Sequence, residues 1–430
     1  MYPSCRLPHR FLDRGDRMSL LLQTSKISAP IPNPPPTWLD RGRIPCLDGL
    51  RALAILLVIF AHGHFPGDRF GPIPMLKGRC GFLGVQVFFV LSGFLISTLM
   101  LREIQRRGQV HLGHFYLRRA LRIIPVYAAY LLLVAILDAS GVVRLQSRQW
   151  LAAATYTVNF LPRPLPLAMS HLWSLCVEEH FYLLWPLLMV VLPPRWCFRA
   201  IPACLVLAFV ARWILLAVSD APIDLLTFTR IDDIAVGCGL AYLARSPSAR
   251  LWLHWFTSYR CLALLCLLFA VSQVCLSRTV GSSLLPPAAL HFGLALSNDV
   301  NVLAIAALMW AVLTRPHGFL GRFLNHPAAV HLGVLSYSIY IWHVPFFMRE
   351  EPAWLCSFPQ CLLLIFVAAS VSYRWIEKPF LTWKDRLSIE SFPGQPRSRN
   401  RARMSDPGLR EGAASQTSFR CGAWERDCGS

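Results

Sequence analysis

Charged and imidazole side chains inside apolar stretches are costly, by roughly 2.5–3.5 kcal/mol each on insertion scales, and this sequence carries a short set of them. Arg51 and His62 share the run RALAILLVIFAH; Glu178, Glu179 and His180 interrupt SHLWSLCVEEHFYLLWP; Arg230, Asp232 and Asp233 open RIDDIAVGCGLAY; His343 lies in SYSIYIWHVPF. The chemistry these groups offer is proton transfer. An imidazole takes a proton from a hydroxyl, and a neighbouring carboxylate fixes its tautomer and supports the charge it gains.

Spacing assigns depths. His62 lies about 16 Å along a helix from Arg51, so if Arg51 marks the cytoplasmic end, His62 is past the midplane. The segment that starts at His171 runs inward from the other side and carries Glu178 about 10 Å down, which predicts a His62–Glu178 pair. His171, Ser174, Glu178 and Tyr182 fall on one helix face, which favours Glu178 over its neighbour Glu179. No Ser or Cys nucleophile is coupled to them by the pattern, so direct attack by an activated hydroxyl is expected rather than a covalent enzyme intermediate.

A third feature is HFYLRRALRIIPVY, where Arg118, Arg119 and Arg122 crowd one end of an apolar run. Arg at spacings of three and four presents several guanidinium forks on one side, as a phosphate clamp would; the same residues also serve as an inside-positive topology signal. Arg230, Asp232 and Asp233 could hydrogen-bond a sugar or form a structural ion pair at a helix start, and His343 is either a packed histidine or an acceptor-site group.

The elements that must position these residues follow from composition. Of 430 residues 55% are hydrophobic and 15% charged, against about 25% charged in ordinary soluble domains. The apolar runs recur along most of the chain, which makes it an all-α, polytopic transmembrane bundle. Ten spans are expected, near 47–65, 80–101, 123–143, 172–192, 201–218, 230–246, 261–277, 298–314, 332–348 and 355–377, with an interfacial helix near 150–160. The net charge of +19 is explained by sidedness, since Arg41, Arg43, the Arg residues from 102 to 122 and the Lys and Arg residues from 374 to 386 all fall on one face. That asymmetry puts both termini in the cytoplasm. Residues 1–46 read as a disordered arm, 47–385 as the membrane domain and 386–430 as a disordered basic tail. No nucleic-acid partner is expected. The fourteen cysteines include no Cys-x-x-Cys pair and read as free thiols, and no metal-ligand spacing is present.

Seven segments in order, LDGLRALAILLVIFAH, GFLGVQVFFVLSGFLIS, FYLRRALRIIPVY, HLWSLCVEEHFYLLWP, RIDDIAVGCGLAY, LSYSIYIWHVPF and YRWIEKPF, resemble the acyltransferase 3 family of integral-membrane acyltransferases. The resemblance runs from Cys46 to Leu381. It implies that Arg51 and His62 are the family's paired Arg and His, that Arg119 and Arg122 form its Arg-x-x-Arg motif associated with acyl-CoA, and that Glu178 and Glu179 match its acidic pair. Departures are His180 where the family usually has Gln, His64 as a second imidazole beside His62, and Cys176 in place of a common Ser. An appended esterase-like domain, present in some members, is absent from this sequence, so transfer is expected to finish within the membrane core.

The expected activity is transfer of an acyl group, acetyl in the first instance, from cytoplasmic acyl-CoA as co-substrate, without a metal. The acceptor is a hydroxyl of an extracytoplasmic or lipid-linked carbohydrate, and the setting is a bacterial plasma membrane. His62, Glu178 or Glu179, and Arg51 form the expected catalytic set. Arg118, Arg119 and Arg122 hold the coenzyme, and His171, Tyr182, Arg230, Asp232 and His343 serve the acceptor. The alternatives are a proton-coupled transporter using the buried His and Glu as a relay, and a non-catalytic partner of a polysaccharide synthase.

Overall fold

The computed structural model describes residues 44–63, 73–162, 164–218, 225–258, 285–347 and 358–390, with 261, 264, 267 and 268. His64, nearly all of the expected span 261–277, the arm to residue 43 and the tail from 391 lie outside the described residues. The fold below is that of the unit ending at Leu381; residues from Thr382 form a second unit.

The described part is helical. In chain order it contains α1 (Pro45–His62), α2 (Ile73–Arg107), α3 (Leu112–Ala139), α4 (Ser147–Ala154), α5 (Leu167–Ser170), α6 (Leu172–Val191), α7 (Pro194–Val218), α8 (Thr227–Leu243), α9 (Pro247–Phe256), α10 (Pro287–Thr314), α11 (Phe319–Leu324), α12 (Pro327–Trp342), α13 (Gln360–Ser372) and α14 (Lys378–Glu390). Proline at the first turn starts α1, α9, α10 and α12, where its missing N–H costs nothing. A π-helical turn, Tyr373–Glu377, joins α13 to α14.

Seven described stretches are long and apolar enough to cross a bilayer: Pro45–His62, Lys77–Arg107, Leu112–Ala139, Leu167–Val191, Pro194–Val218, Pro287–Thr314 and Gln360–Lys384. The expected spans at 230–246 and 332–348 are helices of 17 and 16 residues, about 24–26 Å long and short of a ~30 Å hydrocarbon core. The stretch near 150–160 is α4 followed by a 3-10 turn, Val158–Phe160. Leu132, Leu183, Val191, Leu207 and Leu363 point outward and are more than half exposed, as the lipid-facing side of such a bundle must be.

Helix α2 is the organising element, packed on α1, α8, α10 and α6. Its crossing with α8 depends on small residues. A Cβ at Gly93 would collide with the Ile234 carbonyl, and one at Gly237 with the Val90 carbonyl, so the two backbones touch directly, the arrangement that small residues permit between membrane helices. Along the α1–α2 contact Gly81 meets Ala61 and Gly84 meets Ala54 and Val58. The two helices are antiparallel, and Ser92 reaches the level of Arg51.

Candidate active site

The residues singled out by sequence separate into two stations. One is a cluster of three imidazoles from three helix ends. His62 closes α1, His171 precedes α6 and His343 follows α12. The His62 and His343 rings are 5.0 Å apart and the His171 and His343 rings 5.3 Å. His171 and His343 are buried at 2% and 0% exposure.

Backbone carbonyls set the tautomers. His62 Nδ1 lies 2.9 Å from the Val58 carbonyl and His343 Nδ1 lies 2.6 Å from that of Tyr340. Only an N–H donates to a carbonyl, so both Nδ1 atoms carry the proton and both Nε2 atoms keep a lone pair. The Tyr340 hydroxyl donates to the His171 carbonyl at 2.8 Å and meets Ser174 Oγ at 2.5 Å; Tyr130 packs edge-on against the His171 ring at 5.2 Å. Lys77, buried, donates to the Gly63 carbonyl beside His62.

The second station gathers the acids and the arginines. Ser92 donates to Glu178 Oε1 at 2.9 Å, and the Tyr182 hydroxyl lies 2.9 Å from Ser92 Oγ and 3.1 Å from Glu178 Oε2. The Arg119 guanidinium stands over the Tyr182 ring at 4.6 Å, a cation–π contact. Arg51 is paired with Asp48 at 2.9 Å and Arg118 with Glu103 at 3.7 Å. Arg119 and Arg51 are both within electrostatic reach of Glu178, and Glu179 is within reach of Arg119 and Glu178.

The expected His62–Glu178 pair is therefore corrected. Glu178 takes its hydrogen bonds from Ser92 and Tyr182, while the Val58 carbonyl holds His62. The registers explain it: Arg51, which shares the surroundings of Glu178, is about 16 Å of helix rise from His62, and Glu178 about 10 Å from His171. Glu178 and Tyr182 do share a face, as the helical wheel predicts. A hydroxyl is also coupled to the acid after all, that of Ser92.

Arg230 and Asp232 belong to neither station. Arg212 bonds Asp232 and Asp299 at 2.8 Å each and the Thr229 carbonyl at 2.7 Å. Asn298 donates to Asp232 at 3.0 Å and Asp233 at 2.9 Å, and receives Arg230 at 2.5 Å and Gln86 at 2.9 Å. This buried network ties α2, α7, α8 and α10 together: Arg230 is held by Asn298 and Asp233, and Asp232 by Arg212 and Asn298 through Oδ2, while Asp232 Oδ1 has no partner among the described residues. His180 meets Thr227 at 2.7 Å and stacks on Phe160, away from the histidine cluster.

Sequence reasoning missed Arg212, Asp299, Lys77 and Ser92. The first three were findable, being charges inside or at the edge of apolar runs. Ser92 was not, since a serine in such a run usually bonds only its own helix. Among the described residues no group of three or more His, Cys, Asp or Glu has an arrangement that could hold a metal ion, and the described cysteines are free thiols.

A family model described as an acyltransferase domain matches residues 44–380. A peptidoglycan O-acetyltransferase of Listeria monocytogenes is 29% identical over 372 residues, 80% of this chain and 56% of that protein. A putative peptidoglycan O-acetyltransferase of Bacillus subtilis is 29% identical over 382 residues, 79% of this chain and 55% of that protein. An O-acetyltransferase of Staphylococcus aureus is 27% identical over 374 residues, 78% of this chain and 57% of that protein. The chain thus spans little more than half the length of these curated relatives. No solved structure matches.

Proposed function

Since this chain belongs to the acyltransferase 3 family over residues 44–380, we propose that it moves an acetyl group from acetyl-CoA, bound from the cytoplasmic side, to a carbohydrate hydroxyl presented on the outer side. The observation that supports this is the separation of a cationic station, taken as the inner one, from an imidazole station, taken as the outer one. Among the described residues Arg119 and Arg122 make no hydrogen bond or ion pair with another side chain, although Arg51 and Arg118 do. Unsatisfied guanidinium forks of this kind suit phosphate oxygens. The adenosine phosphates of the coenzyme rest there, and its pantetheine arm covers the roughly 15 Å, half of a ~30 Å core, that brings the thioester to His62.

At the outer station His62 Nε2, its lone pair fixed by the Val58 carbonyl behind it, is the general base. It takes the acceptor proton as the hydroxyl oxygen attacks the thioester carbon. His343 and His171 line the place the acceptor occupies. Glu178 and Glu179 serve the inner station, where they balance the arginines. The named activity of the relatives on peptidoglycan supports a cell-wall glycan as acceptor, in a bacterial plasma membrane; a lipid-linked sugar is the narrower alternative.

The test is stoichiometry. Purified protein in lipid vesicles, given radiolabelled acetyl-CoA and a cell-wall glycan fraction, should release free CoA one-for-one with acetyl ester on the glycan. A transporter would move its substrate unchanged, so intact acetyl-CoA with no ester formed would reject acyl transfer.

A further inference from the structure

Group transfer at His62 places negative charge on the thioester carbonyl oxygen, and that oxygen needs a hydrogen-bond donor in a site that excludes water. The three imidazoles differ in what they can give. His62 and His343 have committed their Nδ1 protons to the Val58 and Tyr340 carbonyls, which leaves each with only a lone pair at Nε2. His171 is different. Among the described residues neither of its ring nitrogens has a hydrogen-bond partner, although both are fully buried, and the Ile341 backbone beside the ring falls short of hydrogen-bond geometry. A neutral imidazole carries one N–H, so His171 is the member of the cluster with a proton left to donate.

Such an orphan is expensive. A buried polar atom left unsatisfied is destabilising, and orphans kept in a native site call for an explanation. The ring is also held still: Tyr130 packs edge-on at 5.2 Å, Tyr340 lies at 5.7 Å and His343 at 5.3 Å, while Tyr340 grips the His171 carbonyl. A donor fixed in advance, beside the base, has the character that oxyanion stabilisation requires.

We propose that His171, through its uncommitted ring N–H, is the oxyanion donor of the transfer, in addition to lining the acceptor site. This rests on the acetyl-CoA reading above. The acceptor oxygen bonds to the acetyl carbon and its proton passes to His62 Nε2. The carbonyl electron pair moves onto oxygen, where His171 N–H stabilises it. On collapse the C–S bond breaks, and the coenzyme thiolate leaves with the proton that His62 held.

The experiment compares wild type, His171→Gln and His171→Leu in vesicles, with acetyl-CoA and the glycan fraction. Glutamine keeps a neutral N–H donor and cannot act as a base; leucine keeps neither function. Removal of one such donor costs about 10²–10³ in kcat, so leucine should lose that much with the KM for acetyl-CoA within about twofold of wild type. Glutamine should recover at least tenfold of the loss. Leucine within threefold of wild type, glutamine as inactive as leucine, or a loss confined to KM would each overturn the assignment. Should leucine fail to fold, the carbonyl stretch of bound [1-13C]acetyl-CoA decides: it should lie lower in wild type and glutamine than in His171→Phe, and equal frequencies would refute a donor at this position. A wild type without turnover would instead refute the acyl-transfer reading itself.

Discussion

His62 is held by the backbone carbonyl of its own helix, four residues back, and that bond alone fixes Nε2 as the basic atom. No acid is needed to orient it. Glu178→Gln should therefore leave kcat within about threefold, where a base-orienting carboxylate would show much of the 10²–10⁴ worth of general-base catalysis. Its effect should fall on the KM for acetyl-CoA, through Arg119. Arg119→Ala removes a charge-assisted contact of about 1.5–3 kcal/mol, so its KM should rise roughly tenfold or more with kcat little changed; steady-state CoA release measures both variants. Much of this site was legible in the sequence, because each buried charge in an apolar run announces itself. The partners were not. A carbonyl such as that of Val58 has no side-chain signature, and the meeting of His62, His171 and His343 depends on where three helices happen to begin and end.

At the level of elements, the buried network and the α2–α8 crossing hold both stations in register. Arg212→Leu leaves Asp232 and Asp299 buried without their cation, and breaking a buried pair from one side costs about 3–5 kcal/mol; the thermal unfolding midpoint in detergent should fall sharply, with loss of helical signal at lower temperature. Gly237→Ala pushes a methyl group against the Val90 carbonyl. The helices must separate, at about 1–3 kcal/mol for overpacking, and the same assay should show a smaller drop. The apolar runs did predict these helices, yet not their lengths. Helix α2 reaches 35 residues because its Arg-rich end keeps helical propensity after hydropathy has faded. Helix α8 ends where Ala244 is buried and Arg245 bonds the Thr98 carbonyl, and α12 ends at the buried His343, partners that hydropathy cannot display.

For the whole molecule, the proposed transfer needs a cytoplasmic coenzyme face and an outer acceptor face. We propose that both termini lie in the cytoplasm, as the distribution of Arg and Lys suggests. A phosphatase reporter active only outside the plasma membrane should be silent when fused after Ser430 and active when inserted after Pro66; the reverse pattern would invert the stations. The family was legible from seven ordered segments, whereas sidedness rests on charge bias alone and the acceptor on relatives that are about one and a half times as long. The most direct test of the central claim is acceptor-dependent CoA release by wild type and by an equally well-folded His62→Ala variant, side by side in vesicles. Release that requires the glycan and falls by 10²–10⁴ in the variant is the predicted result. Equal release by the two proteins would contradict a histidine base at the outer station.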